Sequence, residues 1–146
     1  MDKSYDAVVK IAINAPLSKV WNGITDPDII TQYMHGTRVH TDWKVGSSII
    51  WKGKWEGKSY EDKGTILAIE PQTLLKITHW SPLSGTEDKP ENYHIVQYEL
   101  SDNNGATSLV LTQGNNPSQE AADRMANNAW LPVLQKLKTV IENQDS

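Results

Sequence analysis

The chain contains no cysteine. That absence excludes disulfides, zinc–thiolate and iron–sulfur sites, and a cysteine nucleophile. It suits a reducing compartment, and a cytoplasmic protein is expected. Phenylalanine is absent too, so the large rings are six Trp and five Tyr. Each carries a polar handle on an apolar body, which suits a wet cavity or a half-exposed sheet. Positive charge is in deficit: 14 Lys and Arg face 18 Asp and Glu, for a formal net charge of −4. The densest basic group, Lys52, Lys54 and Lys58, has Glu56 inside it. It reads as a solvated strand face, so no nucleic-acid partner is expected. No apolar run approaches the roughly 20 residues of a membrane span. The opening Met-Asp-Lys-Ser-Tyr-Asp lacks the apolar stretch of a signal peptide. No membrane partner is expected either. The chain holds no Gly-x-Ser-x-Gly, no phosphate loop and no dinucleotide fingerprint. His35, His40, His79 and His94 have no metal-ligand spacing, so neither a metal nor a cofactor is expected.

What is present is a change of period along the chain. At 146 residues the sequence fits one domain, 1–146, with room for a real core. Tyr5–Ile13 alternates like a strand, with Ala7, Val9, Ile11 and Ile13 on one parity. Leu17, Val20, Trp21 and Ile24 then form one helical face. Asp26 and Pro27 start a second short helix that Gly36 ends. From Thr37 the period is two. Strands are expected at Thr37–Trp43, Ser48–Trp55, Tyr60–Glu70, Leu74–Trp80 and Tyr93–Ser101. An Asn-Gly hairpin turn at Asn104-Gly105 leads into the last strand. Ser118–Glu142 returns to a helical stripe, in which Ala126, Val133, Leu137 and Val140 are expected to be buried. Pro132 lies inside this helix, so a bend is expected near Asn128. Leu131 falls opposite the stripe and reads as exposed.

Several short motifs recur in a familiar order. They are Ala15-Pro16 with Val20-Trp21, Ile24-Thr25-Asp26-Pro27, Val45-Gly46, and Gly64-Thr65-Ile66 through Glu70-Pro71. Tyr98-Glu99-Leu100, Gly105-Ala106-Thr107 with Leu109, and Trp130 with Leu134 and Leu137 complete the set. The order resembles the START-like, helix-grip superfamily. The motifs resemble one branch, the family named for the C-terminal domain of the activator of the heat-shock-protein-90 ATPase. The resemblance implies an α+β fold: a curved antiparallel sheet around a long C-terminal helix, with two short helices near the N-terminus. The eukaryotic activator has a separate N-terminal domain, for which no room is expected in this chain, so co-chaperone activity is not expected to carry over. Three departures stand out: Gly46-Ser47 where a glycine pair is common, Gly23 inside a helix, and Pro132.

A sheet curled around a helix leaves a concave interior, and the candidate ligand-binding residues are those expected to face it. They are Trp51 and Trp55 on one strand face, His79 after Leu75 and Ile77, Tyr98, Tyr33, Met125 and Trp130. Each has an ordinary structural alternative: core packing for the rings, and a satisfied core or strand-end position for His79. Glu56, Glu61 and Asp62 read as solvated strand ends. No catalytic residue is assigned. Ser81–Asn92 holds two prolines and no apolar period, and is expected to be a lid over the cavity, aided by Tyr33 and Met34. The alternative is a plain surface loop. The leading reading is a binding module for a small apolar or aromatic molecule, as a monomer or weak homodimer. A protein-interaction module with a co-chaperone-like role is the second. A cyclase or hydrolase using His79 or Tyr98 as acid or base is the third.

Overall fold

Hydrophobic alternation drives seven strands into one antiparallel sheet. A computed structural model describes residues 5–143, and for Trp55 the backbone alone. The strands are β1 (Tyr5–Ile13), β2 (Arg38–Thr41), β3 (Ser48–Trp55), β4 (Lys58–Glu70), β5 (Leu74–His79), β6 (His94–Asn103) and β7 (Ala106–Asn116). Their spatial order is β1-β7-β6-β5-β4-β3-β2. β2 is shorter than expected, because Trp43 turns to φ 58° and leaves the extended region. β4 starts earlier, directly after a turn built on Glu56 and Gly57. A bulge at Leu67, between Ile66 and Ala68, bends β4 against β5. This bend helps the sheet to curl.

Two short helices follow β1: α1 (Leu17–Thr25) and α2 (Pro27–Tyr33). Asp26 caps α2 by accepting from the Asp28 N–H at 2.9 Å, and Pro27 takes the first helical position. Gly23 lets α1 lie against the C-terminal helix. A Cβ there would stand 2.6 Å from Ile141 Cδ1, so the departure from a better helix former has a packing reason.

The C-terminal helix runs in three pieces. α3 (Gln119–Arg124) is capped by Ser118, whose Oγ accepts from the Ala121 N–H. A π-helical stretch covers Met125–Trp130, and α4 (Leu131–Glu142) completes the run. The irregularity expected near Asn128 therefore takes the form of a widened turn. The Leu131 N–H bonds to the Ala126 carbonyl, five residues back. One residue is accommodated there, next to the proline that cannot donate. Ala122, Ala126, Leu134, Leu137 and Ile141 are buried. Val133 and Val140 are half-buried rather than buried, and Leu131 packs against the core rather than standing in solvent.

Candidate functional site

Between sheet and helix lies a cavity of about 250 Å³. Strand parity builds its floor. Counting along β5, Leu75 and Ile77 are buried, and His79 follows on the same face. β6 contributes Val96 and Tyr98, and β7 contributes Gln113. Trp51 comes from β3, with Tyr60 and Asp62 from β4. The π-helical stretch supplies Met125, Ala129 and Trp130, and the turn after α2 supplies Met34 and His35. The wide turn thus falls where the helix faces the cavity.

The aromatic walls meet edge to face. Trp51 contacts the His79 ring at 5.0 Å and 71°, and Tyr98 meets Trp130 at 6.4 Å and 88°. Burial pushes the Tyr98 hydroxyl well above the usual tyrosine range, so it stays protonated. The Trp130 indole N–H donates to Gln113 Oε1 at 3.1 Å. Because an indole only donates, this bond fixes which end of the amide is oxygen. Gln113 Nε2 is the end left for another partner.

The polar corner is a His–Asp pair. His79 Nε2 and Asp62 Oδ2 lie 2.9 Å apart. Asp62 Oδ1 is buried and has no hydrogen-bond partner among the described residues. Leaving such an atom unmatched costs about 1–3 kcal/mol, more for a charged group, so this oxygen calls for an explanation. Beside it Thr37 Oγ1 and Tyr60 OH share a bond of 2.7 Å. Gly53 makes room for that bond, since a Cβ there would stand 2.6 Å from Tyr60 OH and 2.9 Å from Thr37 Oγ1. Among the described residues no cluster of His, Asp and Glu has the make-up of a metal site.

Of the residues picked out by sequence, Trp51, His79, Tyr98, Met125 and Trp130 line the cavity. Tyr33 is not among the lining residues. Its ring is buried, and its hydroxyl donates to the Gly23 carbonyl at 2.7 Å. The Trp55 side chain lies outside the described residues. No residue of Ser81–Asn92 lines the cavity, so the loop expected as a lid is elsewhere. It is pinned to the sheet: Asp88 pairs with Lys63 and accepts from the Tyr93 hydroxyl, and Trp80 Nε1 donates to Thr86. Asp62, Tyr60 and Gln113 were missed. Counting back by twos from buried Ile66 reaches Gly64, Asp62 and Tyr60, and that parity was the available signal.

The family described as "Activator of Hsp90 ATPase homolog 1-like protein" matches residues 14–142. The chain belongs to this family. Among solved structures, ChR145 from Cytophaga hutchinsonii is 45% identical with a TM-score of 0.85, over 99% of this chain and 98% of that one. MLL2253 from Mesorhizobium loti is 24% identical with a TM-score of 0.76, over 97% and 99%. The Aha1 dimer from Colwellia psychrerythraea is 18% identical with a TM-score of 0.73, over 97% and 98%. The last two show a shared fold. Among curated proteins, none matches the chain. Among the described residues of this Activator of Hsp90 ATPase homolog 1-like chain, no helix is long and apolar enough to cross a membrane.

Proposed function

We propose that this chain acts as one domain, a binding module that holds a small, largely apolar molecule between sheet and helix. The observation that carries the reading is the 250 Å³ cavity itself, apolar and aromatic in its walls with a few convergent polar groups. Cavities of that make-up are the usual seats of small ligands, and typical ones are about 300–1,000 Å³. The occupant is therefore small, on the scale of one or two rings. Trp51 and Trp130 stand in the walls as built-in reporters. A panel of small aromatic molecules should shift tryptophan emission on titration. Val133→Trp, a substitution in the half-buried lining of α4, should fill the space and abolish the shift in a folded protein. A panel without effect, or binding untouched by that substitution, would sink the reading. The oligomeric state belongs to the same proposal: a monomer or weak homodimer, decided by light scattering across concentration.

A further inference from the structure

We propose that the His79–Asp62 pair makes this cavity selective for a hydroxyl on a flat conjugated ring, a phenol or enol whose O–H donates to His79 Nδ1. The inference rests on the cavity-binding reading above and deepens it by naming the ligand class.

The argument starts from the bond of 2.9 Å between His79 Nε2 and Asp62 Oδ2. A carboxylate only accepts, so Nε2 carries the ring proton. In the neutral imidazole the lone pair is then on Nδ1. Nδ1 has no hydrogen bond among the described residues, and the His79 ring lines the cavity. Asp62 Oδ1, the second unmatched atom of this pair, is an acceptor as well. The unfilled capacity of the pair is for a donor, and no Lys or Arg lines the cavity to meet it.

A second observation gives the ligand a direction. Gln113 is level with Val96, which is level with Ile77, so it lies two strands from β5. At strand spacing that is roughly 10 Å across the sheet, and because His79 is two residues beyond Ile77 along β5, the backbones of Gln113 and His79 are about 12 Å apart. Gln113 turns its oxygen to the Trp130 indole, which leaves its amide N–H groups as donors. The site thus accepts at one end and donates at the other, with Trp51, Tyr98 and Trp130 among the aromatic walls. A flat molecule with a hydroxyl at one end and an acceptor at the other matches that order. A ring with two apolar ends leaves His79 unmatched, and a site built to bond a hydroxyl discriminates against the analogue that lacks it.

The test compares methyl 4-hydroxybenzoate, whose hydroxyl keeps its proton at neutral pH, with methyl 4-methylbenzoate, which replaces the hydroxyl by a methyl of similar size. Both are titrated into the full chain, read by tryptophan quenching and calorimetry. The phenol should bind tighter by about tenfold or more. Asp62→Asn should collapse that ratio towards one, because an amide can donate to Nε2 and release the tautomer. A melt confirms that the variant is folded, and the wild-type ratio decides the matter if it is not. Equal dissociation constants in the wild-type chain would overturn the inference and leave cavity binding standing. A ratio preserved in folded Asp62→Asn would overturn it too. If neither probe binds, this inference falls, and the binding reading falls with it only if the wider panel also has no effect.

Discussion

Tyr33 shows how a side chain with the right chemistry can have a different task. Gly23 is four residues before Pro27, so its carbonyl lacks the helical donor that would close the last turn of α1. The buried Tyr33 hydroxyl supplies one at 2.7 Å. Tyr33→Phe should therefore cost about 1–3 kcal/mol, because a buried carbonyl loses its partner. A chemical melt will measure it, and an unchanged midpoint would refute the assignment. Affinity for a cavity ligand should stay the same. From sequence alone Tyr33 and Tyr98 look alike, a ring with a handle beside an apolar run. What separates them is long-range placement, which periodicity does not carry. Strand parity does carry the facing of Trp51, His79 and Tyr98, because side chains alternate without exception along an unbulged strand. It carries Asp62 equally well, but charge outweighed parity in reading that residue. A carboxylate facing inward needs a partner such as His79, which is on a different strand, and no local pattern announces it.

At the scale of the element, the π-helical stretch is a one-residue expansion in the C-terminal helix. Its flanks are fixed in register by Ala122 on one side and Leu134, Leu137 and Ile141 on the other. Asn127 and Asn128 are exposed, so the extra residue bulges towards solvent. Deleting Asn128 should restore an ordinary helical repeat with both flanks in place. Pro132 would then crowd the carbonyl four residues back, at a cost of about 3 kcal/mol. Adding Pro132→Ala to the deletion should recover most of that loss. If denaturant melts of the deletion with and without Pro132→Ala coincide, the proline has no part in holding the wide turn. A proline in a helical stripe was legible in the sequence; the form of the response was not. A kink and a widened turn both relieve the same clash, and the choice rests on which neighbouring contacts must stay in register.

For the molecule as a whole, the sheet and the last helix are clipped together at one corner. Lys138 Nζ donates to the Ala12 carbonyl at 2.7 Å and to Glu142 Oε2 at 2.6 Å. The same carboxylate oxygen accepts from the Asn14 N–H at 2.7 Å. The Lys138 hydrogen bond, followed by that of Asn14, holds the Glu142 carboxyl below its ordinary value of 4.5. As pH falls from there, the unfolded chain takes up the proton first, so stability is lost. The contribution is present above the ordinary value and disappears as pH falls through the lowered one. Glu142→Gln should lower the melting temperature at neutral pH, and the gap to wild type should close as the solution is acidified below 4.5. A gap of constant size would show that the clip is steric rather than ionic.

The sheet order has a kinetic side. β1 touches no strand but β7 within the sheet, and Val9 faces Leu111. The first strand of the chain must therefore wait for the last before it gains a neighbour. Its partner is remote in sequence, so the entropy of closing that loop must be overcome before the pairing returns any energy. The neighbouring strands from β3 to β7 are consecutive in the chain, with connections of at most 14 residues, and close over far shorter loops. Until the first and last strands meet, the edge of β7 that β1 will cover carries unpaired backbone groups beside buried-type residues, an open template for a second, half-folded copy.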